Sequence, residues 1–278
     1  MLARLRKWQI HWKIFLWAYA FFSFYPIIWM IFYSFKNNNE IFVTNPFGFP
    51  TKLRFENYVH AWNSFNVPVY FKNSVIVTIA TVIGTVALSV MFSYAAARMN
   101  WRLKDVARIY IVTGMFIPVQ VIMIPLAILV RDFGLSNSLL ALIIPYVAFN
   151  LSFCTMVFYG FFRSIPFELE ESACIDGASV YQAFFRIILP IIRPAVATVI
   201  IFVSLMAWNE FTMALMLITK EELKTLPLGI LFFQGAFTTD WGAMGAVMTI
   251  ASLPTLFVYI LFSEKVEQAL TVSSAVKG

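Results

Sequence analysis

Six long runs of apolar residues, almost free of charge, recur along this 278-residue chain and constrain its fold more than any other feature. They cover residues 14–35, 74–97, 106–130, 139–162, 194–218 and 242–262. A hydrocarbon core about 30 Å thick is crossed by about 20 helical residues, so each run is long enough to span it. The runs are continuous rather than alternating, which excludes a transmembrane β-barrel. Composition agrees: 61% of the residues are hydrophobic and only 12% are charged, against roughly 25% charged in soluble chains. With 30 Phe, 8 Trp and 11 Tyr, the chain is the opposite of a disordered one. The expected fold is an all-α membrane protein with six transmembrane helices.

Within residues 1–13, expected as a cytoplasmic N-terminus, Met1 to Lys7 is basic and precedes an apolar run, as in a secretory signal. The run at 14–35 outlasts the roughly 7–15 residues of a signal core, so it reads as an uncleaved first span. Lys and Arg in the connections set the orientation. With the N-terminus inside, thirteen of the twenty basic residues fall on the cytoplasmic side and seven outside. Arg98, Arg102, Lys104 and Arg108 crowd into one short inner loop. Both termini are therefore expected in the cytoplasm, with residues 263–278 as a tail, in a multi-pass protein of the cell (cytoplasmic or inner) membrane. The net charge of +6 is explained by this topology, and no nucleic-acid partner is expected.

Cys154, Cys174, His11 and His60 show no metal-ligand spacing, so no metal is expected. Neither histidine sits in a span, and no Ser or Cys has a base at helical spacing, which disfavours an intramembrane hydrolase. Pro26, Pro118, Pro125, Pro145 and Pro254 lie inside the runs. Each removes a backbone donor and bends its helix, and Pro118 with Pro125 predicts a curved third span. Membrane helices also tolerate proline, so a shaped pathway and plain tolerance both stay open.

One connection on the cytoplasmic side is unusually long. Residues 163–193 carry Ser164 as an N-cap, Pro166 in a first turn, Glu168 at the positive helix end and Gly177 as a stop. This pattern predicts a helix of about three turns, then a second short one from Ser179 to Ile187 that ends before Leu189-Pro190. Such a pair has no core of its own and must dock on something.

Glu171-Ser172-Ala173, Gly177, Ile187 and Leu189-Pro190 stand at a spacing that resembles the "EAA" loop of ATP-binding-cassette (ABC) importer permeases. The fuller run Ile165-Pro166, Glu168-Leu169-Glu170-Glu171 and Ile175-Asp176-Gly177-Ala178 is similar to the carbohydrate-uptake subgroup. So are Trp208-Asn209-Glu210-Phe211, Thr225-Leu226-Pro227 and Ala275-Val276-Lys277-Gly278, which together resemble the six-span, maltose-permease-like subunit. Ser172 departs from the usual second Ala, and Ser273-Ser274 replace the usual small residues before the tail.

The resemblance implies the type I ABC importer permease fold and a permease for oligosaccharides or related carbohydrates. It implies that Glu170, Glu171, Ser172, Ala173, Asp176, Gly177, Ile187, Leu189 and Pro190 couple to an ATPase, with Ala275, Val276, Lys277 and Gly278 as a further ATPase contact. The implied partners are a second homologous permease, two ATPase (nucleotide-binding) subunits, an extracytoplasmic solute-binding protein, membrane lipid and the sugar substrate.

No GxxxxGK[S/T] phosphate loop is present: the only Lys followed by Thr is Lys224-Thr225, without a preceding glycine. The chain is thus expected to be a transport subunit and not an enzyme. It needs no cofactor itself, and ATP and magnesium are left to the partner subunits. Glu210 is nearly alone as an ionisable group at depth. With Trp208 and Asn209 it is a candidate for the translocation path, and a polar clamp between helices is the other reading. An ion-coupled secondary transporter using Glu210 remains the alternative function.

Overall fold

The computed structural model describes residues 2–64, 66–233 and 239–275. Among these, helices α1 (Leu2–Ser34), α2 (Glu56–Ser64), α3 (Val67–Arg98), α4 (Lys104–Thr113), α5 (Val119–Asp132) and α6 (Leu140–Ser164) come first. The loop helices α7 (Glu168–Ile175) and α8 (Val180–Ile191) follow. Helices α9 (Arg193–Trp208), α10 (Thr212–Leu217) and α11 (Trp241–Ala275) complete the chain. The chain divides into two compact units.

Four stretches are long and apolar enough to cross a bilayer: His11–Ser34, Val67–Arg98, Leu140–Ser164 and Trp241–Leu261. The third expected span is instead broken, and the fifth joins the preceding loop helix at a sharp bend. Lys104–Phe116 and Val119–Asp132 meet at 108°, and Val180–Ile191 and Arg193–Trp208 meet at 72°. The described residues therefore hold four candidate spans, or six if each bent pair counts as one.

Proline chemistry explains the first break. Ile117, just before Pro118, is extended at φ −88° and ψ 111°, because a residue preceding proline is pushed out of the helical region. The expected gentle curve of the third span is thus a sharp corner. The fifth run, expected at 194–218, ends as a helix at Trp208. Its 16 residues give about 24 Å of rise, and a separate turn of helix resumes at Thr212.

In the unit comprising residues up to Pro68 and Gly229–Leu253, polar side chains tie down the stretch after α1. Asn57 Nδ2 donates to Ser34 O at 2.8 Å and Lys36 O at 2.9 Å. The buried Lys36 Nζ donates to Asn45 O at 2.6 Å, and Glu40 Oε1 accepts from Thr51 N at 2.6 Å. The unit of Val69–Leu228 and Pro254 onwards holds two apolar cores. One joins Val90, Tyr94, Phe158, Phe162, Phe184, Ile188 and Val199. The other joins Val77, Leu142, Tyr146, Ala207, Met213 and Leu217. Large apolar side chains elsewhere stay exposed, among them Trp17, Phe22, Tyr110 and Val121, as expected of surfaces that meet lipid.

Candidate functional site

Residues 163–193 do fold as a helix pair, with different bounds from those expected. Ser164 does not cap α7. It is still inside α6, and Pro166 drives Ile165 into extended backbone at φ −81° and ψ 131°. Helix α7 then starts only at Glu168 and makes two turns rather than three, with no side-chain cap at Phe167.

Its far end matches the expectation. Gly177 sits at φ +80°, a left-handed conformation that costs glycine nothing. The Gly177 N–H reaches Cys174 O at 3.0 Å and the Ala178 N–H reaches Ala173 O at 2.9 Å, the paired bonds of a Schellman stop.

Ser179 opens α8 through a reciprocal cap: its Oγ accepts from Gln182 N at 3.3 Å, and its own N–H donates to Gln182 Oε1 at 2.8 Å. Helix α8 does not stop before Leu189-Pro190. A five-residue π turn, Phe184–Ile188, leads into Leu189–Ile191. Pro190 lies in that last piece, two residues after the π turn.

The loop's side chains divide into two sets. Glu168, Glu171, Ser172, Cys174, Ile175, Asp176 and Gly177 are exposed, whereas Glu170 and Ala173 are buried. The Ser172 hydroxyl folds back onto Glu168 O at 2.8 Å. Ile187, Leu189 and Pro190 are half-buried, and Ile187 and Leu189 lie against the first core. A cavity of about 400 Å³ opens between the two loop helices, lined by Ala173, Asp176, Gly177, Ala178, Gln182, Arg186 and Ile187.

Glu170 faces inwards. Its Oε1 accepts from the Tyr94 hydroxyl at 2.8 Å, and its Oε2 lies 3.2 Å from Arg98 Nε. Neither Tyr94 nor Arg98 was picked from sequence as a site residue. Arg98 counted there only as a charge that sets orientation.

Glu210 lies not on a helix but in the gap between α9 and α10. Its carboxylate accepts from the Tyr146 hydroxyl, from Met213 N at 2.7 Å and from Ala214 N at 3.1 Å. It thus caps α10 and pins it to α6, the clamp among the two readings. Asn209, next to it in sequence, is engaged elsewhere: its Nδ2 donates to Leu205 O at 2.8 Å.

The three path candidates also part company. Glu210 lines a cavity of about 290 Å³ together with Gly114, Ile117, Tyr146, Asn150, Phe153 and Phe202. Asn209 is exposed and lines no described cavity. Trp208 is buried edge-on to Phe71 at 5.5 Å and lines a separate, mostly apolar cavity of about 200 Å³ with Val75, Leu205 and Pro254. Of the tail candidates, Ala275 is the last residue of α11. Val276, Lys277 and Gly278 lie outside the described residues.

Over residues 89–272 the chain matches the family described as the binding-protein-dependent transport system inner membrane component. It is 36% identical to the probable ABC transporter permease protein YurM of Bacillus subtilis (strain 168), over 98% of this chain and 91% of that protein. The diacetylchitobiose uptake system permease protein NgcG of Streptomyces coelicolor is 36% identical over 87% of this chain and 80% of its own length. A solved chain from a bacterial ABC transporter that imports the acidic polysaccharide alginate superposes with a TM-score of 0.81 at 23% identity. That match covers 93% of this chain and 96% of the other, and it speaks to the fold. With relatives matched along most of their length and several helices long and apolar enough to cross a membrane, the chain belongs to the binding-protein-dependent transport family, as a multi-pass permease subunit of an ABC importer.

Proposed function

We propose that this chain moves a carbohydrate across the cytoplasmic membrane as one of two paired permeases. On this reading two ATPase subunits, which bind the ATP and magnesium, dock on residues 163–193 and drive alternating access. An extracytoplasmic binding protein delivers the solute. Both termini face the cytoplasm, on the strength of the Lys and Arg distribution. The carbohydrate reading draws on relatives named for diacetylchitobiose and for trehalose and maltose.

One observation carries the docking role. Ile175, Tyr181 and Phe185 are 86%, 79% and 60% exposed on the loop helices, outside the four helices long enough to cross a bilayer alone, and next in sequence to Asp176, Gln182 and Arg186 of the loop cavity. Apolar groups left open beside a concavity mark a protein contact. The acidic fringe of Glu168, Glu171 and Asp176 suits a partner cleft with basic rims. The tail beyond Ala275 is assigned to the same partner.

The pathway on this reading passes the cavity lined by Glu210, Asn150 and Phe153, where two broken helices face α6. Ion coupling through Glu210 is not favoured, because its carboxylate is already engaged by a hydroxyl and two backbone amides.

Cys174 offers a direct test, since it is exposed while the only other cysteine, Cys154, is buried. A maleimide should label Cys174 in the isolated chain and fail to label it in the complex purified with its ATPase. Equal labelling of both samples would refute docking on this loop.

A further inference from the structure

The loop is covalently joined to α6 and to α9, but not to α3, which ends seventy-two residues before Glu170. Motion delivered to α7 therefore reaches α3 through side chains alone. The structure shows a compact set of them. Arg98 and Glu170 face each other at 3.2 Å with side chains only 8% exposed each. The Tyr94 hydroxyl donates to the second carboxylate oxygen at 2.8 Å. Arg98 also donates to Ile165 O at 2.6 Å, across the corner between α6 and α7, and its guanidinium lies over the Phe167 ring at 5.7 Å.

Tyr94 and Arg98 are four apart and share one face of α3. Arg98 is its last residue, where the helix end favours a cation. The Tyr94 ring meets Phe184 of α8 at 4.6 Å and Phe162 of α6 at 5.6 Å. Apolar faces of this kind can slide over one another. A buried ion pair tied at three points is held in direction and register, because separating it leaves uncompensated charge away from water.

Glu170 and Glu171 are thus neighbours with opposite duties. One faces outwards, free for a partner, and the other faces the membrane helices.

We propose that Arg98 and Glu170 are positioning residues for transport, a hitch that makes α3 follow α7 when the ATPase partner moves the loop. This inference rests on the docking role proposed above. If the hitch carries the load, the ATPase is held back by the membrane helices through it. Breaking it frees the ATPase to cycle without them.

The test uses the complex purified through the full-length chain and reconstituted in liposomes, with Mg-ATP as the probe and hydrolysis counted per assembled complex. Glu170→Gln keeps an acceptor for Tyr94 and removes the charge. Hydrolysis without binding protein should rise by about fivefold or more, the lower range of allosteric coupling. The exchanged pair Arg98→Glu with Glu170→Arg should bring it back towards the original rate.

A residue that only stabilised the fold would lower the yield of complex and leave hydrolysis per complex unchanged. That outcome, or loss of assembly in Glu170→Gln without rescue by the exchanged pair, overturns the hitch. Failure of the unaltered chain to copurify with any ATPase overturns the docking role itself, and the hitch with it.

Discussion

The Tyr146 hydroxyl of α6 donates to the Glu210 carboxylate, which at the same time accepts the Met213 and Ala214 amides at the start of α10. One acidic side chain thereby closes a helix end and fixes it to a neighbouring span. A carboxylate at depth is tolerated because three donors replace its water. The same gap between α9 and α10 forms one wall of the cavity that Gly114 and Ile117 border from the corner at Pro118. Two interruptions in apolar helices therefore meet at one space.

Tyr146→Phe removes one of the three donors and little volume. Hydrogen bonds to charged groups contribute about 1.5–3 kcal/mol, so the thermal midpoint of the detergent-purified chain should fall. Glu210→Ala should lower it further, since α10 then loses its cap as well. An unchanged midpoint in both variants would rule out the clamp.

Charge reversal at the outward neighbour should act differently. Glu171 is exposed, and surface substitutions of this kind stay within about 0.5 kcal/mol. Glu171→Lys should therefore insert and melt like the original chain while copurification of the ATPase is lost. Retention of the full ATPase complement would exclude Glu171 from the contact.

Gly177→Ala meets no obstruction, as nothing lies within 4 Å of the added carbon. Its cost is backbone conformation alone, about 1–2 kcal/mol for an L-residue at positive φ. Gly177→Asn should lose less, because asparagine adopts the left-handed region more readily. Equal melting of the two variants would contradict this account of the α7 stop.

Lys36 predicts a pH dependence. Burial pushes its ammonium below the ordinary lysine value, and nearby Glu40 opposes that shift in part. The folded state then holds this proton less tightly than the unfolded state, so unfolding takes up protons between the lowered value and the ordinary one. Stability should rise with pH through that window. Compared with Lys36→Met, the unaltered chain should gain melting temperature as pH is raised towards the ordinary lysine value of about 10.4. Parallel curves would show that the amine titrates as if it were in water.

The apolar runs and the loop's stop signal were legible in the amino-acid order because both rest on local chemistry. Hydrocarbon length sets how long a run must be, and the left-handed turn at Gly177 asks for a residue without a side chain. The proline positions were equally visible, but their effect was not. Pro118 turned the chain by a right angle and more, while Pro26, Pro125, Pro145 and Pro254 stayed within helices. Whether a proline breaks or merely bends a helix depends on what packs around the freed backbone groups.

Two relationships belonged to tertiary structure alone. Glu170 and Glu171 are adjacent and chemically identical, and only the approach of α3, bringing Tyr94 and Arg98, turned one of them inwards. Tyr146 and Glu210 are sixty-four residues apart, so their bond exists only once α6 and the end of α9 are neighbours. Side-chain periodicity tells which residues share a face of one helix. Which helix that face will meet is decided by packing.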